Sequence, residues 1–193
     1  MTILEQLKRY GPYNEQEEKD KPILLDFMQK DNAWERSNLV AHFTASAWVV
    51  NETFDKVLMC YHNLYDSWSW LGGHADGEKD LLAVAIKEVK EESGLTNVIA
   101  LQEDIFSIEI VTVDGHIKKG AYVPSHLHLN VTYLLQAKEE EKLFIKPDEN
   151  KGLQWFSLDG AIEASSEPWF QQNIYSKLNE KLRREIEEYE SKS

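Results

Sequence analysis

The residues best suited to chemistry lie in one stretch, Gly72-Gly73-His74-Ala75-Asp76-Gly77-Glu78, which runs through Leu81-Leu82-Ala83-Val84-Ala85-Ile86 to Lys87-Glu88-Val89-Lys90-Glu91-Glu92-Ser93-Gly94-Leu95. A glycine-rich turn, a run of helix formers and a carboxylate cluster follow one another. Glu88, Glu91 and Glu92 are spaced three and four residues apart, so on a helix they share a face. Like charges so placed repel, and no base at i+4 relieves Glu91 or Glu92. A hard divalent cation would make that face favourable, because Mg²⁺ takes oxygen ligands and retains several waters.

Elements on both sides must position this stretch. Residues 2 to 10 and roughly 14 to 30 read as helices, with Asn14 as a cap and Pro22 marking a break or a first turn. His42 to Val50 and Lys56 to His62 read as strands around a turn at 51–55. Ser67 to Leu71 reads as a short strand that delivers the chain into the glycines. The helix is expected from about Asp80 to a cap at Gly94, with Leu81, Leu82, Ala85 and Val89 toward the core and the three acids pointing the other way. Strands follow at 97–101 and 105–113. Asp114-Gly115 signals a two-residue hairpin with His116-Ile117-Lys118 as the return. Ser125 to Ala137 reads as a further strand and Lys138 to Lys142 as a charged loop. Trp155-Phe156 makes a last short strand before a helix capped by Ser157 or Asp159. A long charged helix spans Glu167 to about Ser191, with Ile174, Leu178, Leu182 and Ile186 at four-residue spacing. Together these predict an α/β layered domain with a mixed sheet between helices. Residues 1–38 form a helical N-terminal extension packed on it, and residues 39–193 form the domain, including its C-terminal helix.

With 193 residues, 42% hydrophobic and 28% charged, the chain fits one globular domain. A net charge of -13 argues against a nucleic-acid polymer as partner and leaves room for a small phosphorylated substrate held through metal. Cys60 is the only cysteine, so no internal disulfide can form and a reducing compartment is expected. The N-terminus lacks signal-peptide features, and no apolar run reaches the ~18 residues of a membrane span. The expectation is a cytoplasmic chain with no membrane partner. A homodimer through a sheet edge or the C-terminal helix is compatible with it.

Gly73, Glu88, Glu91, Glu92 and Gly94 match, without a gap, the spacing of the signature of the Nudix (MutT-like) hydrolases, which the chain resembles over roughly residues 39 to 165. Trp155, Phe156 and Leu158 fit the family's element near the end of the domain. Two positions depart: the family's isolated Glu falls at Lys79, between Glu78 and Asp80, and its Arg is Lys87. An ungapped reading sets two lysines against each other, so Glu78 or Asp80 is expected to brace the loop. The resemblance implies a Nudix-type α/β/α sandwich and a metal-dependent pyrophosphatase using Mg²⁺ or Mn²⁺. It acts on a nucleoside diphosphate linked to another moiety, such as a nucleotide sugar, ADP-ribose or a dinucleotide, or on an NTP. It also implies Glu88, Glu91 and Glu92 as metal ligands and catalytic groups, with the Gly72 carbonyl as a further ligand. The general base is one of these acids, or Glu149, Asp148 or Glu103. Two alternatives share the fold: a non-catalytic ligand-binding or regulatory domain, and an isopentenyl-diphosphate isomerase-like enzyme. The isomerase needs a cysteine just before the helix, whereas Cys60 lies a strand earlier.

Other residues could touch substrate. His74 follows the glycines and could meet phosphate, or merely fill the loop. His126 and His128 alternate on one strand face, where they could serve a cleft or remain a half-exposed sheet face. Zinc there lacks a third ligand nearby in sequence. Trp68 and Trp70 could stack on a base or an isoprenoid, or pack in the core. Arg9, Arg36, Lys118 and Lys119 read as surface positions.

Overall fold

Side-chain caps start the first two helices. Thr2 and Glu5 form a capping box at the head of α1 (Ile3–Arg9), and Asn14 accepts from Glu17 N at the head of α2 (Glu15–Phe27). Pro22 lies inside α2 rather than at a break, because packing on the next layer overrides its poor propensity. The computed structural model describes residues 1–192. A 3-10 turn (Asp31–Trp34) precedes β1 (Ala41–Val50), β2 (Lys56–His62), β3 (Ser67–Ser69), β4 (Leu71–His74) and α3 (Leu81–Ser93). Then come β5 (Val98–Ala100), β6 (Ser107–Val113), β7 (His116–Lys118), β8 (Ala121–Val123), β9 (His126–Ala137) and β10 (Asn150–Ser157). The chain closes with α4 (Leu158–Ala164) and then α5 (Pro168–Phe170), a π-helical turn (Gln171–Tyr175) and α6 (Ser176–Lys192), which run on without a break as the predicted long C-terminal helix, with the π-helical turn near its start. The fold is α/β, with a mixed sheet and flanking helices.

The contacts divide the chain into two units, the first comprising Met1–Ala47, Gly72–Glu88 and Ala100–Leu134, and the second Trp48–Leu71, Val89–Ile99 and Leu135–Ser193. In the first, β1 lies beside β9 and β4, and β6 pairs antiparallel with β9 from Ser107↔Thr132 to Val113↔His126. Helix α2 docks on β6: Asp20 Oδ2 accepts from Ile110 N at 3.0 Å, and Gln16 Nε2 donates to Ile108 O at 3.2 Å. Its buried Glu17 accepts from Ser107 Oγ at 3.0 Å, Tyr10 Oη at 2.8 Å and Tyr13 N at 2.7 Å, which satisfies a carboxylate with no access to water.

Period-two alternation puts His42, Thr44 and Ser46 of β1 on one face, and His126, His128, Asn130 and Thr132 of β9 on one face. Thr44 Oγ1 and Ser46 Oγ both donate to Asn130 Oδ1, at 2.9 and 2.8 Å, while Asn130 Nδ2 and Thr132 Oγ1 donate to Glu109 Oε2 at 3.0 and 2.9 Å. A buried polar layer in which each group has partners holds these strands in one register.

In the second unit, β2 pairs with β10, with β3 and, through Val57, with Val50 at the end of β1. Ser157 caps α4, and Trp48 Nε1 donates to Asn179 Oδ1 of α6 at 3.2 Å. Ile174, Leu178 and Leu182 are buried, as their spacing predicts.

Two turn expectations are corrected. Gly72 and Gly73 lie in β4 rather than in a turn. A methyl on Gly72 would come within 2.5 Å of Ala45 O, so glycine here marks the close approach of two strands. The bend follows at Asp76 and Gly77, with φ of 47° and 87°. Asp114-Gly115 does not close a hairpin, because β6 takes β9 as its partner. The tight turn is Lys119-Gly120, between β7 and β8, with positive φ at both residues (50° and 81°), as a type I′ turn requires.

Gly94 ends α3 with φ of 73°, and a methyl on it would lie 2.9 Å from the Phe144 side chain. Gly94→Ala is therefore expected to cost about 1–2 kcal/mol from the left-handed backbone alone, with the contact adding to it. Gly11→Ala, where a methyl meets nothing within 4 Å, is the control. Urea denaturation of the two variants checks the difference.

Candidate active site

Helix α3 is positioned first by its own leading loop. Asp80 Oδ1 accepts from Ala83 N at 3.0 Å, capping the first turn, and Glu78 Oε1 accepts from Asp80 N at 2.8 Å. Leu81, Val84, Ala85 and Val89 are buried and anchor the helix, whereas Leu82, expected in the core, is only half-buried. Glu88 belongs to the first unit and Glu91 and Glu92 to the second.

Glu88 is seated on β4. A methyl at Gly73 would lie 2.4 Å from Glu88 Cδ and 2.5 Å from Oε2, so the carboxylate occupies the space that any side chain at 73 would take. Its side chain is 13% exposed, and Lys87 Nζ stands 3.1 Å from Oε1. Lys79 Nζ lies 5.9 Å from the centre of the Trp34 ring. The two departures from the signature thus have separate surroundings, and Glu78 and Asp80 stabilise the loop by capping.

The turn after β4 is tied down by Arg36, which grips Asp76 with Nε and Nη2; the Nε–Oδ1 distance is 2.6 Å. The guanidinium holds the Asp76 carboxyl below its usual range, against the opposing effect of burial. Arg36, read as a surface position, is exposed and lies in the link between the 3-10 turn and β1.

In the second unit, Glu92 is 3% exposed, which corrects the expectation of an outward-facing acid. The helix end is fixed there by Asn150 Nδ2, which donates to Glu92 O at 3.0 Å. Lys146 Nζ lies 3.7 Å from Glu91 Oε2 and 3.0 Å from Glu149 Oε1, so one ammonium serves both acids. Burial would lower the Lys146 pKa, but Glu149, Glu91 and Asp148 outweigh it and raise it. Cys60 is buried, and its thiol is pushed well up by burial and by the charges of Glu92 and Glu149, a poor setting for the acid–base cysteine of an isomerase. Trp70 packs edge-on to Phe170 and Tyr175, and Trp68 to Tyr61 and Phe156, which is the structural role of the two readings.

In the first unit, His74, His126 and His128 come together, and His42 of β1 joins them. Ring centroids of His42 lie 5.1, 4.9 and 5.2 Å from those of His74, His126 and His128. Burial, and then the neighbouring charges and imidazoles, press the pKa values of His74 and His128 down to about 2, so both rings are neutral. The sequence did offer a signal for His42: polar residues at every second position of an otherwise apolar strand.

The NUDIX domain family matches residues 40–178. Among solved structures, a NUDIX-family hydrolase from Clostridium perfringens is 25% identical, with 74% of this chain and 96% of that one covered and a TM-score of 0.51. The Escherichia coli dihydroneopterin triphosphate pyrophosphohydrolase is 14% identical over 70% of this chain and 92% of its own, with a TM-score of 0.52. A MutT protein from Methanosarcina mazei is 16% identical over 75% and 94%, with a TM-score of 0.51. Comparison with curated proteins finds no match.

If Glu88 fills the space above Gly73, Gly73→Ala destabilises the chain by about 1–3 kcal/mol through overpacking. The same change is expected to cost much less in a Glu88→Ala background, where the obstructing carboxylate is gone. A double-mutant cycle in urea measures that coupling, and equal costs in both backgrounds would contradict the seat.

Proposed function

The chain belongs to the Nudix family and is a pyrophosphohydrolase, and we propose that it acts in the cytoplasm, with Mg²⁺ or Mn²⁺, on the pyrophosphate of a nucleoside diphosphate linked to another moiety. A nucleotide sugar, ADP-ribose, a dinucleotide or an NTP all offer that bond. The observation that carries this reading is the seat of Glu88 on Gly73, which fixes one acid of α3 in place.

The donor set fits such an ion. Carboxylates are hard oxygen ligands suited to Mg²⁺ or Mn²⁺, and three of them at i, i+3 and i+4 would otherwise repel on one helix face. Glu88, Glu91 and Glu92, with the Gly72 carbonyl, are the residues that would hold it. When bound, the cation supplies charge stabilisation to the phosphates and acidifies a water that attacks phosphorus. Gly73 contributes by keeping its strand low enough for the Glu88 carboxylate to sit over it. Lys146 screens Glu91 and orients Glu149 through the ammonium they share. That shared cation favours Glu149 over Asp148 and Glu103 as the general base outside the helix.

Phosphate release from a panel of nucleoside diphosphate derivatives with Mg²⁺ or Mn²⁺ tests the reading. At least one compound is expected to turn over, with Glu92→Gln slower by about 100-fold or more, the range typical for loss of a positioned catalytic group. Tight binding of a nucleotide without turnover would instead point to a ligand-sensing domain. Glu149→Gln is expected to slow turnover while leaving metal affinity within a few-fold.

A further inference from the structure

Four of the six histidines of this chain meet on the first unit's sheet, where the three acids of α3 contribute no ligand atom to the group. Nitrogen atoms of His42, His74 and His128 all lie within 4.8 Å of one another. They come from three separate strands, β1, β4 and β9, so the grouping is a product of the fold.

The tautomers of two rings follow from their hydrogen bonds. His42 Nδ1 stands 2.9 Å from Asn38 O, and His126 Nδ1 stands 2.8 Å from Pro124 O. A carbonyl only accepts, so each Nδ1 carries the proton and each Nε2 keeps a bare lone pair. His42 is 4% exposed, and its Nε2 is buried with no hydrogen-bond partner among the described residues. An unpaired buried acceptor costs stability unless something outside the chain satisfies it. His126 Nε2 accepts a hydrogen bond from His128 Nε2 at 3.2 Å, and once a metal displaces that proton to Nδ1 the separation is close to the about 3.3 Å that two nitrogens take around one tetrahedral zinc ion.

This arrangement selects the ligand class. The bare Nε2 lone pair of His42, beside the neutral rings of His74 and His128, repels an anion and attracts a cation. Nitrogen donors suit zinc and its first-row neighbours, not Mg²⁺. Backbone carbonyls that hold the far nitrogen are the usual outer partners of metal-binding histidines. Arg36, the charge that acts most on His74, is paired with Asp76.

We propose that His42, His74 and His128 bind a divalent transition-metal ion of the zinc type, with His126 beside them as an orienting or exchangeable fourth nitrogen. Three nitrogen ligands leave a coordination position for water or a substrate oxygen. This site does not rest on the hydrolase reading, since it uses a different donor set and prefers a different metal.

Titration of the chelator-stripped full-length protein with Co²⁺, followed by visible absorption, tests it. Tetrahedral nitrogen-bound Co²⁺ absorbs strongly, whereas octahedral oxygen-bound Co²⁺ absorbs weakly. The expected result is intense bands saturating at one ion per chain, displaced by Zn²⁺ and indifferent to excess Mg²⁺. His42→Gln and His128→Gln are each expected to weaken binding by more than the roughly 10–100-fold that loss of an outer-shell partner costs. Glu92→Gln is expected to keep the bands. Circular dichroism checks folding, and His74→Gln, at a less buried position than His42, decides the matter if His42→Gln fails to fold. Weak absorption in the parent, or bands that survive the histidine changes and vanish with Glu92→Gln, would overturn the site.

Discussion

The structure depends on a strand with no side chains where it must pass between two neighbours. At Gly72 the backbone of β4 comes against Ala45 and Ser46 of β1, and at Gly73 it lies under the carboxylate of Glu88. Any larger residue would push the strand from its sheet or the acid from its seat. Close packing makes such steps abrupt, since an interior with few voids cannot absorb an extra methyl without movement elsewhere. The next residue, His74, is placed by the same strand, so one constraint sets both an acid and an imidazole.

Two kinds of donor result, and they differ in hardness. The acids of α3 offer oxygens, and the histidines of β1, β4 and β9 offer nitrogens from rings kept neutral by burial. Each set is braced from outside: Glu91 by Lys146, His42 by Asn38 O and His126 by Pro124 O.

Much of this was legible in the sequence because it depended on spacing. The helix from Leu81 to Ser93, its three acids and its glycine end follow from 3.6-residue periodicity and from caps. The strands β1, β2, β6 and β9 follow from β-branched and aromatic content. What could not be read was partner choice. Asp114-Gly115 has hairpin chemistry, yet β6 pairs with β9, so tertiary pairing overrode a local signal. The glycines of β4 look like a turn until the neighbouring strand is known. The histidine group was half visible: His126 and His128 alternate on a strand, but the third and fourth members come from residues 42 and 74, which only the sheet brings near. The burial of Glu92 was hidden in the same way, since it depends on what packs at the far end of α3.

Glu88, seated on the bare strand at Gly73, is the proposed cation ligand whose place the structure fixes most firmly. Electron paramagnetic resonance of free Mn²⁺ measures that role directly, because bound Mn²⁺ leaves the free-ion signal. The parent chain is expected to remove Mn²⁺ from solution with an affinity that Glu88→Gln weakens by about tenfold or more, equivalent to at least 1.4 kcal/mol, while His42→Gln leaves it unchanged. Equal Mn²⁺ binding by the parent and Glu88→Gln would contradict the account.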